Sequence, residues 1–265
     1  MLTGTQAREV VHLLLLERLV ALHDGRAVTL KGGVNLRMFF GSPRYSEDID
    51  LDGARDRSAA IRGSIKAAFD DREFRGVLRR LGIRGLDPGE GPNKDTRTTF
   101  RYKFGVFVPG QIRYPTKIEV SFRDSHPGDP VAVAEPGREI TRRYGVAADL
   151  DVPHYDRPAA VRQKIEALGG RRTVQARDLF DLDHLLRPEV PATLESFLSE
   201  GLGARLLKTA YDRALEITYE EYEGQVLEFL EPEIRSEYER PSLWDEMRLR
   251  VADLIARVRA ARGEP

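Results

Sequence analysis

The segment LKGGVNLRMFFGSPRYSEDIDLD, Leu30 to Asp52, constrains the fold more tightly than any other part of the chain. AVTLKGG has the pattern of a short strand ending in glycines, VNLRMFF that of a short helix, and DIDLD that of a second strand after the turn-prone GSPRYS. Asp48, Asp50 and Asp52 are spaced two apart, so on a strand they project from one face while Ile49 and Leu51 project from the other. Such a strand needs a sheet with one face packed on apolar material and the other left polar.

The rest of the chain supplies such a sheet in its first part and helices in its second. Apolar residues at Val10, Val11, Leu14, Leu15, Leu19 and Leu22 mark one buried helical face between Thr5 and His23. Arg57 to Leu81 has the pattern of a longer amphipathic helix, LDPGEGPNKD collects loop signals, and TTFRYKFGVFV and TKIEVSF read as strands joined by PGQIRYP. Beyond about Leu150 the pattern becomes helical. DRPAAVRQKIEALGG carries an aspartate and an early proline at its start and glycines at its end, VQARDLFDLDHLL follows, and mostly helix continues to Arg262. The expected class is α/β (α+β), a mixed sheet with flanking helices over 1–149 followed by a mainly helical unit over 150–265.

Composition removes several kinds of chemistry. The chain of 265 residues has no cysteine, which excludes disulfides, thiolate metal sites and a cysteine nucleophile. Its five histidines show no zinc spacing, and His12, inside the leucine-rich helix, and His126, beside a proline, read as structural or surface residues. The formal net charge of −1 gives no global field, although bases outnumber acids about two to one from Arg55 to Lys103 while glutamates dominate Glu189 to Arg240. VVHLLLLERLVAL is too short and too charged to span a bilayer and no secretion signal is apparent, so no membrane partner and a cytoplasmic location are expected.

The chemistry concentrates in the opening segment. Gly32 and Gly33 fall where a strand meets a helix, and free N–H groups at a helix start attract anions. Neighbouring carboxylates repel one another unless a cation compensates, and oxygen donors suit Mg²⁺ or Mn²⁺. Taken singly, a glycine pair is only a tight turn and a D-x-D only a solvated strand end. Together they place a phosphate cradle beside a metal site, which is what nucleotidyl transfer requires. Tyr45, next to the acidic strand, is either a base-stacking or a packing aromatic.

At this point the sequence resembles a family. Gly32, Gly33, Leu36, Arg44, Ser46, Asp48, Ile49, Asp50 and Leu51 follow the pattern of the AbiEii/AbiGii group of DNA polymerase β-like nucleotidyltransferases, which includes the MenT-type toxins. Lys164, Arg171, Arg177, Asp178 and Asp181, in QKIEALGGRRTVQARDLFDLDHL, repeat that group's lysine helix and R-D-x-x-D helix.

The resemblance implies a polymerase β-like fold and an NTP-dependent transferase. It implies Asp48 and Asp50 as metal ligands holding Mg²⁺ or Mn²⁺, with Glu119 in TKIEVSF as candidate third ligand and Asp52 as the alternative. Gly32, Gly33, Arg44, Ser46 and Lys164 would bind the nucleotide, with Asp178 holding Lys164 or an arginine in position. Asp48, Asp50, Lys164 and Asp178 form the expected catalytic set. The implied partners are a nucleoside triphosphate, an RNA acceptor (the 3′ end of tRNA) met by the arginines from Arg72 to Arg101, and a cognate antitoxin. The residues themselves leave open a small-molecule or protein acceptor, and a non-catalytic nucleotide-binding regulator.

Overall fold

The computed structural model describes residues 2–23, 27–89, 92–110, 112–123, 129–146, 151–187 and 191–263. The boundary expected at Asp149 and the loop histidine His126 lie outside these residues. By internal contacts the chain divides into two units, Met1–Gly41 with Tyr45–Tyr155, and Ser42–Arg44 with Asp156–Pro265.

The first unit is built on an eight-stranded mixed sheet. Its strands are β1 (Val28–Lys31), β2 (Ile49–Gly53), β3 (Gly85–Asp87), β4 (Pro92–Thr96), β5 (Thr99–Phe107), β6 (Arg113–Ser121), β7 (Val131–Ala134) and β8 (Val152–Tyr155). The order is β3-β5-β6-β2-β1-β8-β7, with β4 pairing to β5. β1 and β2 are antiparallel, β2 and β6 parallel, and β5 and β6 antiparallel.

Helices α1 (Gly4–Leu22), α2 (Gly32–Phe39), α3 (Ser58–Asp70), α4 (Arg72–Arg80) and α5 (Arg138–Tyr144) accompany the sheet. α1 begins in a capping box in which Thr3 and Gln6 satisfy each other's backbone N–H groups. The single helix expected over Arg57–Leu81 is two: Asp71 leaves helical geometry and its carboxylate accepts from the Phe74 N–H, stopping α3 and capping α4. LDPGEGPNKD is flanked by strand at both ends, since Leu86 and Asp87 pair with β5 and Pro92 opens β4 off the main path, where a missing N–H is tolerated.

Alternation sorts the strands' side chains onto two faces. Ile49, Leu51, Phe100, Tyr102, Phe104, Ile118 and Val120 enter a core shared with Leu15, Ile65, Phe69, Phe74 and Leu78 of α1, α3 and α4. Each such fully buried aliphatic or aromatic side chain contributes about 1.5–3 kcal/mol, which fixes strand register, since a one-residue slip would expose the whole row.

The second unit is helical, with α6 (Arg157–Gly170), α7 (Ala176–Leu186), α8 (Leu194–Gly201), α9 (Ala204–Glu216), α10 (Tyr219–Gln225), α11 (Pro232–Tyr238) and α12 (Pro241–Ala261). Asp156 caps α6, its carboxylate accepting from the Ala159 N–H at 3.0 Å, with Pro158 in the first turn. Tyr222 stacks on Trp244 at 4.4 Å between ring centroids, anchoring α10 to α12 in the core of this unit. No helix among the described residues is long and apolar enough to cross a membrane.

Candidate active site

The first unit brings the glycine bend and the acidic strand together. Gly32 has φ +70°, a backbone state that L side chains avoid, and starts α2 directly from β1. A Cβ added there would lie 2.9 Å from Oδ2 of Asp50. The contact follows from register, because Lys31 of β1 is the cross-strand partner of Asp50 on β2. Gly33 sits in the first turn of α2, where N–H groups have no intrahelical acceptor. Asn35, one turn into the helix, donates to the Tyr155 carbonyl at 2.9 Å and fixes α2 against β8.

Across the polar face of the sheet runs a row of charged residues, two neighbouring carboxylates with a cation at each end. Lys31 pairs with Asp50, Asp50 with Glu119 on β6, and Glu119 with Arg101 on β5. Asp48 and Asp52 flank this row, and neither is bare: Lys117 Nζ donates to Asp48 at 2.5 Å, and Lys31 Nζ donates to Asp52 at 2.5 Å. Asp52 also accepts from the Tyr155 hydroxyl at 2.7 Å. The sequence-based picture of three uncompensated aspartates therefore reduces to one. The Asp50 carboxylate makes no hydrogen bond or ion pair with any described residue.

Asp50 is accordingly the strained charge of the set. Burial pushes its carboxyl above the ordinary carboxylate range, with Asp48 and Glu119 adding to the rise and Lys117 and Lys31 opposing it. Glu119, the candidate third ligand, is turned to Arg101, whose Nε donates to it at 2.5 Å and whose own pKa is raised by that bond and by Glu119, Asp50 and Asp48. No group of three or more acidic or histidine side chains among the described residues is gathered as a metal cage. Asp48 and Asp50 thus stand as a two-carboxylate set, with Glu119 beside Asp50 in register and held by its arginine.

Ser46 spends its hydroxyl locally, donating to the Asp48 carbonyl at 2.9 Å, so it shapes the entry to β2. Thr116 donates to the Glu47 carbonyl at 2.7 Å and accepts from Nε2 of buried His12 at 2.7 Å, bracing the same turn from α1. Tyr45 is buried, lies under the Arg37 guanidinium at 4.5 Å and accepts from Arg143 at 2.9 Å, so it is a packing aromatic. The arginines from Arg72 to Arg101 do not form one surface. Arg72, Arg75, Arg79 and Arg80 are exposed on α4, in the helix layer, whereas Arg101 belongs to the polar face of β5.

The other expected residues gather in the helical unit. Lys164 of α6 is buried and pairs with both Asp178 at 3.1 Å and Asp181 at 2.6 Å, which are three apart on one face of α7. Arg44 reaches Asp181 with Nε at 3.1 Å and Nη2 at 2.8 Å, and Arg171 reaches Asp178 at 3.0 Å. Burial alone would raise the Asp181 carboxyl, but Arg44 and Lys164 hold it far below the usual range. Arg177, expected alongside them, opens the first turn of α7.

A sequence profile described as nucleotidyl transferase AbiEii toxin, type IV toxin–antitoxin system, matches residues 14–256. The chain belongs to the AbiEii nucleotidyltransferase toxin family. The family implies an NTP substrate and a cognate antitoxin. MenT4, a nucleotidyltransferase toxin from Mycobacterium tuberculosis, superposes with a TM-score of 0.61 at 16% identity, over 96% of this chain and 84% of that one. JHP933 from Helicobacter pylori gives 0.57 at 17% identity over 99% and 95% of the two chains. A putative nucleotidyltransferase from H. pylori gives 0.55 at 17% over 99% and 98%. No curated protein matches significantly in sequence. The nucleotidyltransferase fold expected from the motif is thus the fold of this AbiEii member, a mixed sheet with flanking helices.

Lys31, Lys103 and Lys117 escaped the sequence-based site, and Arg101 entered it only as the end of the arginine-rich acceptor surface. The signal lay in the strand alternation, which puts each on the same face as the aspartates or Glu119.

Proposed function

We propose that this AbiEii enzyme transfers a nucleoside monophosphate from an NTP to the 3′ hydroxyl of an RNA, tRNA being the favoured acceptor, with Mg²⁺ or Mn²⁺ bound at Asp48 and Asp50. One observation carries the reading: the left-handed bend at Gly32 stands against Asp50, beside Asp48, in a gap that a single methyl would fill.

The donor set fits a small hard cation. Mg²⁺ keeps several waters and is commonly held by one or two carboxylates together with substrate phosphates. Asp50, half-buried and without a counter-ion of its own, is suited to such a partner. A cation bound there supplies charge neutralisation for the triphosphate and its leaving pyrophosphate.

The chain's own residues do the rest. The N–H groups at Gly32 and Gly33 face an anion at the start of α2. Asp52, tied to Lys31 and Tyr155, holds the lysine that precedes the bend. Arg101 keeps Glu119 in place beside Asp50. The acceptor hydroxyl attacks the α-phosphorus, a new P–O bond forms, and the bond to pyrophosphate breaks in line. Lys164 and Asp178 enter the proposal through the family pattern, as a phosphate-directed cation and the carboxylate that orients it.

The test is incubation with each α-labelled NTP and divalent cation in three pools: total RNA, small hydroxylated compounds, and protein. Label in the tRNA fraction is the expected result. RNA left unlabelled with all four nucleotides overturns the acceptor assignment.

A further inference from the structure

Lys103 of β5 and Lys117 of β6 are register partners in the antiparallel pair. Directly opposed residues leave the sheet on the same side with Cβ atoms about 5 Å apart, and like charges there are destabilising. The side is the polar one, because Tyr102 and Phe104, on either side of Lys103, are buried in the core. Lys117 relieves part of the repulsion by donating to Asp48. Lys103 is exposed and its side chain makes no ion pair or hydrogen bond with any described residue.

More positive charge lines up along the same strands. Two residues before Lys103 stands Arg101, bonded to Glu119, and two residues after it Gly105. Arg113 lies across that glycine: a Cβ added to Gly105 would collide with Arg113 Nε. The missing side chain lets the guanidinium cover the strand while its Nε also bonds Asp87 at 3.0 Å. Arg101, Lys103, Arg113 and Lys117 thus occupy one face of the β5–β6 pair, next to Asp48.

The geometry points to a phosphate seat at Lys103 and Lys117. A phosphate between the two ammonium groups removes their repulsion, and it gives Lys117 a second anionic partner when Asp48 engages a cation. Phosphate oxygens are the ligand chemistry, and they come either from the NTP or from the sugar–phosphate backbone of the acceptor. The inference rests on the nucleotidyl-transfer reading above and adds a subsite one strand beyond the carboxylate pair.

The experiment uses the full-length protein and its Lys103→Gln, Lys103→Glu and Lys103→Arg variants, with two binding arms and one stability control. The first arm titrates a non-hydrolysable nucleoside triphosphate in Mn²⁺ without acceptor. The second measures KM for the labelled RNA acceptor over a series of salt concentrations. The control is thermal unfolding without ligand, where Lys103→Gln should melt at or above the wild-type temperature because repulsion is relieved.

Lys103→Gln is expected to weaken one arm by roughly tenfold, Lys103→Glu by more, and Lys103→Arg little. Loss in the triphosphate arm assigns the seat to the NTP. Loss in the acceptor arm alone, with a log–log salt slope shallower by about 0.7, assigns it to the RNA backbone. Lys103→Gln and Lys103→Glu within twofold of wild type in both arms overturn the seat. A wild-type protein that labels no RNA refutes the acceptor reading instead; the triphosphate arm needs no turnover and then decides the seat alone, with affinity unchanged in Lys103→Glu overturning it.

Discussion

Gly32 and Asp50 are locked to each other: the residue that must lack a side chain faces the one carboxylate of the row that lacks a counter-ion. Gly32→Ala therefore meets two penalties, a left-handed backbone and a Cβ in contact with Oδ2. The expected cost is about 1–2 kcal/mol in urea unfolding, with nucleotide transfer lost because the bend or the carboxylate must move. A variant as stable and active as wild type would show that neither has to.

Asp50 carries the opposite stability sign from most ion-paired carboxylates. Its pKa is raised on folding, so its ionised form is a liability present above the folded value and absent below the unfolded one. Asp50→Asn is expected to stabilise the fold by about 1 kcal/mol at neutral pH, an advantage that vanishes below about pH 4, while abolishing transfer. Paired urea titrations of the two proteins at neutral and acid pH check the sign.

The row containing Asp50 was only partly legible in the sequence. Alternation in DIDLD and TKIEVSF put Asp50 and Glu119 on polar faces, and the positions of β2, β5, β6, α1 and α6 followed from periodicity and caps. Which strands are neighbours did not follow. The register of Asp50 with Glu119, which joins Lys31 on one side to Arg101 on the other, depends on a parallel β2–β6 contact between segments far apart in sequence, which no local pattern encodes. The break at Asp71 was hidden because its flanks share one amphipathic pattern. Lys164, Asp178 and Asp181 were found by resemblance, but the bidentate bond from Arg44 was not, since nothing local links positions 44 and 181.

That buried network gives a stability expectation distinct from catalysis. Asp181 neutralises Arg44 and Lys164 together, and its removal leaves two buried cations competing for Asp178. Asp181→Ala is expected to cost about 3–5 kcal/mol by chemical denaturation. The depressed pKa of Asp181 makes its contribution fully present above the ordinary aspartate range and lost only as pH falls through the folded value. A loss under 1 kcal/mol would mean that the ion pairs do not hold in solution.

His12 supplies an acid-sensitive element in the brace behind Glu47. Burial, reinforced by Arg8 and opposed by Asp48, lowers its pKa to about 3, so it is neutral when folded and protonates on unfolding. Between about pH 6.5 and pH 3 the unfolded chain binds the extra proton, and stability drops as the pH is lowered, by up to about 1.4 kcal/mol per unit from this residue. Stability against pH should be flatter over that window in His12→Gln than in wild type. Parallel profiles would assign the acid sensitivity elsewhere.

The claim on which the functional account turns is that Asp48 and Asp50 hold a divalent cation together with a triphosphate. Electron paramagnetic resonance of Mn²⁺ measures that directly, by the loss of the free-ion signal on adding protein with a non-hydrolysable NTP. Wild type is expected to sequester the ion in the presence of the nucleotide, and Asp48→Ala and Asp50→Ala to leave it free. Equal sequestration by all three proteins, or none by wild type, would contradict the account.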